Sequence, residues 1–153
     1  MTVAERLREL GLELPKKGPL GSYVSAVRSG DLLFVSGGGP QKADGTFITG
    51  KVGADIDVAA GQEAAKLCAL YCLASVQEVI GDLDGVQRIV KLLGFVNSAP
   101  GFSQQHVVMN GASDVLISLF GERGRHARSS VGMAELPMNI AVEVEMIVEV
   151  GAA

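Results

Sequence analysis

Apolar and acidic residues alternate near the C-terminal end of the chain, over residues 142–150. The apolar residues, mostly valine, recur at every second position, and Glu143, Glu145 and Glu149 lie between them. Successive side chains of a β-strand point to opposite faces, so this pattern predicts a strand with one apolar face and one acidic face. Ile147 is the one apolar residue on the acidic face.

A partner strand is predicted upstream, in the segment that starts at His126. The break between the two strands belongs at Leu136–Asn139, because proline fixes φ and asparagine tolerates turn geometry. Folding this hairpin about its turn places Arg128 on the acidic face, together with Ser130 and Gly132. A face with one cation, small residues and carboxylates could bind a small anion, or it could be an ordinary solvated surface.

The predicted register also separates the two most promising side chains. Arg128 would oppose Ile147 and Glu143 would oppose Gly132, so that Arg128 and Glu143 lie four residues apart along the ladder, roughly 13 Å at the rise of a strand. One small substrate does not easily touch both of them within a single chain. We therefore expect that, if both act in one site, they come from different subunits.

The rest of the chain predicts helices and strands that alternate imperfectly. Asp57 is a good N-cap for a long helix, and Gly11 and Gly121 are typical stop signals for two others. The predicted helices are Val3–Leu10, a long helix from Asp57 to Ile80, and Gln104–Phe120. The predicted strands before the C-terminal pair are Tyr23–Val27, Leu32–Ser36, a short edge strand at Thr46–Thr49, and Arg88–Asn97. The last of these is almost continuously apolar, so we expect both of its faces to be covered.

This order indicates an α+β fold with a mixed sheet and two helices packed on one face. The other face, which includes the acidic side of the last strand, is left uncovered in a monomer. We divide the chain into an N-terminal helix and connector, residues 1–19, and a main domain, residues 20–153.

Composition narrows the possible functions. The 153 residues are 48% hydrophobic and 20% charged, which suits one domain with a core and a surplus of apolar residues for an oligomer interface. The net charge of −4 argues against a nucleic-acid partner, and no apolar run approaches the roughly 20 residues that span a bilayer. The charged N-terminus does not resemble a signal peptide, and Cys68 and Cys72 are expected to be buried thiols of a cytoplasmic protein.

Other candidate sites carry weaker signals. Gly37-Gly38-Gly39 lacks the lysine and the following helix of a phosphate loop, so we expect its backbone to approach a ligand or a neighbouring chain closely. His106 and His126 have no metal-ligand spacing, and we expect no metal site. A surface or interface ion pair is an alternative role for Arg128, and packing is an alternative role for Tyr23.

The C-terminal pattern also resembles a known signature. The segments Ala127-Arg128-Ser129-Ser130-Val131, Ala134-x-Leu136-Pro137 and Val142-Glu143-Val144-Glu145 are similar to the signature of the Rid family of reactive-intermediate deaminases, also called YjgF-like or L-PSP endoribonuclease-like. The N-terminal pattern of the family is matched by Ser22-Tyr23-Val24 and Leu33-Phe34-Val35-Ser36-Gly37, and its second helix by Asn110. The resemblance covers about residues 20–150.

The resemblance implies a chorismate-mutase-like fold of the bacillus type, assembled as a homotrimer with clefts between its subunits. It also implies hydrolysis of reactive enamines and imines, such as 2-aminoacrylate, to a keto acid and ammonia, without a metal or an organic cofactor. By position, Arg128 would clamp the substrate carboxylate, and Glu143 would hold or activate the attacking water. The implied substrate-binding residues are Tyr23, Gly37, Asn110 and Ser130.

The chain departs from the best-known members at several positions. Gly38 and Gly39 replace bulkier residues, Ser130 stands where cysteine is frequent, and Gly132 replaces an acidic or larger residue. The N-terminal helix is an extension. These differences would reshape the pocket, so two alternatives to a deaminase are kept: a non-catalytic trimeric module that binds a small metabolite or a protein partner, and an endoribonuclease, which the acidic charge disfavours.

Overall fold

Five strands and three helices are found in the computed structural model, which describes residues 1–18 and 21–152. The helices are α1 (Val3–Glu9), α2 (Val58–Ile80) and α3 (Gln105–Phe120). The strands are β1 (Ala26–Ser29), β2 (Leu32–Gly38), β3 (Val86–Asn97), β4 (Ala127–Met133) and β5 (Val142–Val150). Short 3₁₀ turns at Leu83–Gly85, Gly121–Gly124 and Pro137–Asn139 precede β3, β4 and β5. The predicted α+β fold with a mixed sheet is confirmed.

The long helix α2 begins and ends where its sequence predicts. The side chain of Asp57 accepts a hydrogen bond of 2.8 Å from the backbone N–H of Ala60, which satisfies one of the free donors of the first turn. Gly81, with a φ of +81°, ends the helix in a conformation that favours glycine. No helix in residues 1–18 or 21–152 is long and apolar enough to span a membrane.

The five strands form one sheet in the order β1-β2-β5-β3-β4. Three of the four neighbouring pairs are antiparallel, and only β3 and β4 are parallel. Helix α3 connects β3 to β4, and such a crossover returns the chain to the end of the sheet from which it started. The connection through α3 therefore accounts for the parallel pair.

The prediction that the last two strands, β4 and β5, pair as a hairpin is wrong. Strand β3 lies between β4 and β5 and pairs with both, so Arg128 lies opposite Leu92 of β3, not opposite Ile147. A central apolar strand needs a hydrogen-bonding neighbour on each side. Strand β3 meets this need in its observed position, because β4 is its neighbour on one side and β5 on the other. The turn at Pro137–Asn139 is present, but it leads the chain past β3 to its far side.

The helices cover only one face of the sheet, as predicted. Every second residue of β5, from Val142 to Val150, is buried on that face. The opposite face, called the open face below, presents side chains that include Val27, Phe34, Leu93, Phe95, Val131, Glu143, Glu145 and Ile147. Val27, Phe34 and Val131 are 56%, 45% and 40% exposed there, which is unusual for apolar residues of neighbouring strands.

Several predicted boundaries need correction. Tyr23 lies in a bend before β1, and the turn of the first hairpin is confined to Gly30 and Asp31, with Gly30 at a φ of +61°. Strand β3 alternates between buried and more exposed residues, so it is not covered on both faces. The predicted edge strand at Thr46–Thr49 is reduced to isolated bridges, because only Phe47 and Thr49 pair there.

The N-terminal helix packs into the same hydrophobic core as the sheet. Thr2 and Glu5 form a capping box at its start, and Val3 and Leu7 are buried. The side chain of Lys17, only 3% exposed, donates hydrogen bonds to Ser25, Ser75 and Glu78 and so fastens the following connector to α2. The proposed division at residues 19 and 20 stays a prediction, since Pro19 and Leu20 lie outside the described residues.

Helices α2 and α3 cross so closely at Gly111 that a side chain does not fit. A Cβ atom there would overlap the backbone carbonyl of Gln62. Alanine is favoured over glycine in a helix by about 1 kcal/mol, but overpacking against backbone costs about 1–3 kcal/mol or more. We predict that Gly111→Ala lowers the free energy of unfolding, measured by urea denaturation.

Gly85→Ala is the matched control for Gly111→Ala. The nearest atom to a Cβ at Gly85 is the Cδ1 of Ile80 at 3.5 Å, which is ordinary contact. Its free energy of unfolding should stay within about 0.5 kcal/mol of the parent value. A Gly111→Ala protein as stable as Gly85→Ala would contradict the close crossing.

Candidate functional site

Arg128 lies on the helix-covered side of the sheet. It pairs with Leu92 of β3, which is fully buried on that side, and its guanidinium reaches α3. Its Nη1 donates to the side-chain oxygens of Asn110 at 3.0 Å and Ser113 at 2.9 Å, and its Nη2 donates to the backbone carbonyl of His106 at 3.0 Å. Asn110, predicted to support the site from the second helix, is thus placed in contact with Arg128.

The positive charge of Arg128 is not neutralised by a carboxylate of the described residues. None of the ion pairs within residues 1–18 and 21–152 includes Arg128. A guanidinium has five N–H donors, and three are used by the acceptors on α3. The N–H of Nε and one N–H of Nη2 are left for a ligand.

Ser130 shares the helix-covered face with Arg128. It pairs with Gly94 of β3, and its hydroxyl oxygen is buried without a hydrogen-bond partner among the described residues. Buried polar atoms are rarely left unpaired, so this hydroxyl has capacity for a ligand or a water. The prediction that Arg128 and Ser130 share a face is correct, but the face is not the acidic one.

Two further residues of this site were missed by sequence reasoning. Ser113 contacts Arg128, and the hydroxyl of Ser113 lies 2.9 Å from Nε2 of His126. Residues three apart on a helix share one face, so the spacing of Asn110 and Ser113 could have identified Ser113. We call Asn110, Ser113, His126, Arg128 and Ser130 the arginine cluster.

Glu143 lies on the open face of the sheet, between Gly37 of β2 and Phe95 of β3. It is half-buried, and burial, followed by the nearby negative charge of Glu145, raises the pKa of its carboxyl group. A carboxylate whose pKa moves towards neutrality becomes a better general base and proton donor.

Gly37 shapes the space around Glu143. A β-bulge between Val35 and Gly38 interrupts the pairing of β2 with β5 at this point. A Cβ atom on Gly37 would lie 2.9 Å from the Cδ of Glu143, so only glycine leaves the carboxylate in its present position. Gly37 is thus closely approached by the chain's own glutamate, and contact of the glycine segment with a ligand or a neighbouring chain stays a prediction.

Tyr23 lies in the segment beside the bulge. The hydroxyl of Ser36 donates a hydrogen bond of 2.6 Å to the carbonyl of Val24, which fastens the residue after Tyr23 to the residue before Gly37. Tyr23 itself is 58% exposed, which leaves its ring available to a ligand or a second chain. We call Tyr23, Gly37 and Glu143 the glutamate cluster.

The two cysteines fasten the strand that carries Glu143. The thiol of Cys72 accepts a hydrogen bond from the backbone N–H of Gly38 and donates to the carbonyl of Val144, and Cys68 donates to the carbonyl of Val142. Burial raises the pKa of the Cys72 thiol to about 12, so it keeps its proton and remains a donor. The thiols thus bond to β5 on both sides of Glu143.

The arginine and glutamate clusters lie on opposite faces of the sheet. Glu143 pairs with Phe95, whereas Arg128 pairs with Leu92, an odd number of residues away on the same strand. The predicted common face for Arg128 and the acidic residues is therefore wrong. The expectation that the two residues meet only between subunits stays a prediction.

Three cavities formed by the described residues contain no member of either cluster. One cavity of about 730 Å³ lies between residues 11–16, residues 41–45 and α2, and contains none of the predicted site residues. A smaller one of about 280 Å³ lies on the open face, against Phe34, Lys91 and Glu145. Within residues 1–18 and 21–152, no group of three or more histidine, cysteine or acidic residues is arranged to hold a metal ion.

Comparison with known proteins gives a family match over nearly the whole chain. A family model described as "YjgF/chorismate_mutase-like, putative endoribonuclease" matches residues 4–150. Protein TCP17 of Trypanosoma cruzi is 50% identical over 149 residues, which are 96% of this chain and 93% of TCP17.

Solved structures agree with this match. Protein Atu1372 of Agrobacterium tumefaciens is 48% identical, with a TM-score of 0.91 and coverage of 98% of this chain and 94% of Atu1372. A "putative endoribonuclease" of Shewanella oneidensis is 32% identical, with a TM-score of 0.94 and coverage of 98% and 100%. Because both alignments cover 98% of this chain, the similarity includes the N-terminal region.

The raised pKa of Glu143 predicts a pH-dependent stability. A carboxyl group with a higher pKa in the folded state binds its proton more tightly there than in the unfolded chain. Its favourable contribution is therefore complete at low pH and is lost as the pH rises through the folded-state pKa. We predict that Glu143→Gln, which cannot ionise, gains stability relative to the parent at pH 7 compared with pH 4.

Urea denaturation at both pH values measures this difference. Glu149→Gln is the control, because it removes an exposed glutamate from the same side of the same strand and should change stability little at either pH. A stability difference between Glu143→Gln and the parent that is equal at both pH values, or larger at pH 4, would contradict the pKa assignment.

Proposed function

Because the chain belongs to the YjgF/chorismate-mutase-like family, we propose that it hydrolyses reactive enamines and imines bearing a carboxylate, such as 2-aminoacrylate, to a keto acid and ammonia. The family resemblance predicted from the sequence is confirmed. The reaction itself is our proposal. The observation that carries the proposal is the guanidinium of Arg128, which is held by three neutral acceptors and keeps two donors for an anion.

Arg128 is suited to bind the carboxylate of such a substrate. A guanidinium forms charge-assisted and often bidentate hydrogen bonds with a carboxylate. Its three hydrogen bonds to α3 reduce the side-chain entropy that binding would otherwise cost. The hydroxyl of Ser130, buried and unpartnered on the same face, is a further polar contact for the bound substrate.

Glu143 is suited to activate the attacking water. In the imine tautomer of 2-aminoacrylate the carbon is already electrophilic, so orientation and proton transfer supply what the reaction needs. Glu143 takes a proton from water as the oxygen bonds to this carbon and passes a proton to the nitrogen. The hydroxyl proton of the tetrahedral intermediate is then transferred through Glu143 to the nitrogen, the carbon–nitrogen bond breaks as the carbonyl of the keto acid forms, and ammonia leaves.

The two clusters act together in this proposal only if chains assemble. We infer a homotrimer in which β4, the edge strand that carries Arg128, lies against the open face of the neighbouring chain, so that Arg128 of one subunit approaches Glu143 of the next. The exposed apolar side chains Val27, Phe34 and Val131 support such an interface, since large exposed patches are typical of association surfaces. Covering this face would also strengthen the burial that raises the pKa of Glu143.

Addition of the purified protein to a dehydratase that generates 2-aminoacrylate tests the reaction. We predict that ammonia and pyruvate appear faster than by spontaneous hydrolysis. Arg128→Ala and Glu143→Gln should each lower kcat/KM by about 100-fold or more, as expected for loss of a charged clamp or of a general base.

Arg125→Ala is the matched control, because Arg125 is exposed, lies three residues from Arg128 and pairs only with Glu122 among the described residues. It should retain the parent rate. An Arg128→Ala protein with the parent rate would refute the proposed site. Tight binding of pyruvate without any turnover would instead favour a metabolite-binding module, and RNA cleavage lost in Arg128→Ala would favour an endoribonuclease.

A further inference from the structure

A chain of hydrogen bonds leads from the backbone after α3 to the guanidinium of Arg128. The carbonyl of Gly124 lies 2.6 Å from Nδ1 of His126, Nε2 of His126 lies 2.9 Å from the hydroxyl of Ser113, and this hydroxyl lies 2.9 Å from Nη1 of Arg128. These groups lie in α3, in β4 and in the connection between them, residues 121–126.

The chemistry of these groups fixes the direction of two of the three bonds. A carbonyl oxygen only accepts, so Nδ1 of His126 must carry a proton and donate to Gly124. A guanidinium only donates, so the hydroxyl oxygen of Ser113 accepts from Arg128. Nε2 of His126 accepts the hydroxyl proton of Ser113 when the imidazole is neutral.

Electrostatics favour this neutral form. Burial lowers the pKa of His126, and the charge of Arg128 lowers it further, while the hydrogen bond to Gly124 acts in the opposite direction. An imidazolium would place a second cation on the hydroxyl that already accepts from Arg128. His126 is therefore an acceptor for Ser113 near neutral pH.

We propose that Ser113 and His126 are positioning residues, which lock the guanidinium of Arg128 in the orientation that presents its free N–H groups to a substrate carboxylate. The inference rests on the proposed function, since it assigns these residues to the same reaction. Asn110, the other side chain that accepts from Arg128, is exposed and has no second anchor among the described hydrogen bonds. The partly buried Ser113 has such an anchor in His126, so it holds Arg128 more firmly.

A first measurement needs no ligand and therefore separates this inference from the proposed reaction. Nitrogen-15 NMR of the full-length protein reports the tautomer of His126 and the exchange of the guanidinium protons of Arg128. We expect the Nδ1–H tautomer and slow exchange of these protons. Ser113→Ala should speed the exchange by about tenfold, as expected for the loss of a hydrogen bond to a charged group, and Ser113→Thr should restore it.

A second measurement uses pyruvate as the probe, in calorimetric titrations and as the product of the dehydratase-coupled assay. Ser113→Ala and His126→Leu should weaken pyruvate binding about tenfold and raise KM similarly, with kcat changed less than about threefold. Ser113→Thr keeps the hydroxyl, and His126→Gln keeps an acceptor at the position of Nε2, so both should regain most of the affinity. Ser118→Ala removes an exposed hydroxyl from the same helix and is the control.

The outcomes separate clearly. Exchange of the Arg128 protons and pyruvate affinity that are unchanged in a folded Ser113→Ala protein would overturn the inference. An equal loss of affinity in Ser113→Ala and Ser113→Thr would also overturn it, because that result indicates a packing role. Slow exchange that depends on Ser113, in a protein that releases no ammonia from 2-aminoacrylate, would support the positioning network and refute the proposed reaction.

Discussion

Strand β3 separates the two side chains on which the proposed chemistry depends. It lies between β4 and β5, and its alternation of faces directs Arg128 towards α3 and Glu143 towards the open face. The sheet has helices on one side only, so Arg128 lies partly buried between the edge strand β4 and α3, whereas Glu143 lies on the open face with exposed apolar residues such as Phe34. Because the two groups lie on opposite faces of the sheet, the proposed function assigns them to one site through an assembly of chains.

The two clusters are prepared for their roles in different ways. Hydrogen bonds to α3 hold the arginine while leaving its charge unbalanced by any carboxylate of the described residues, so it keeps its affinity for an anion. The glutamate is held through its strand: buried thiols bond to the carbonyls on either side of it, and the missing side chain of Gly37 leaves it room. Its raised pKa follows from this half-buried position.

The sequence predicted local features well and long-range pairing poorly. The cap at Asp57, the stop at Gly121 and the alternation of residues 142–150 depend on neighbours a few positions away, and each is confirmed. The partner of β4 is not determined by residues close to it in sequence. A strand that precedes a proline turn can pair with the strand after the turn, or with an earlier strand such as β3. The incorrectly predicted hairpin placed Arg128 on the wrong face of the sheet. It therefore concealed the contact of Arg128 with Ser113, and through Ser113 with His126, which follows from the parallel pairing of β4 with β3.

The shared site between subunits is tested most directly by mixing two inactive variants. Arg128→Ala keeps Glu143, and Glu143→Gln keeps Arg128, so a mixed trimer contains clefts in which both intact residues meet. After the two proteins are unfolded together and refolded in equal amounts, we expect recovery of about a quarter of the deaminase activity of parent protein treated identically, because random assembly makes about one cleft in four intact. Activity no higher than that of each variant alone would contradict the account.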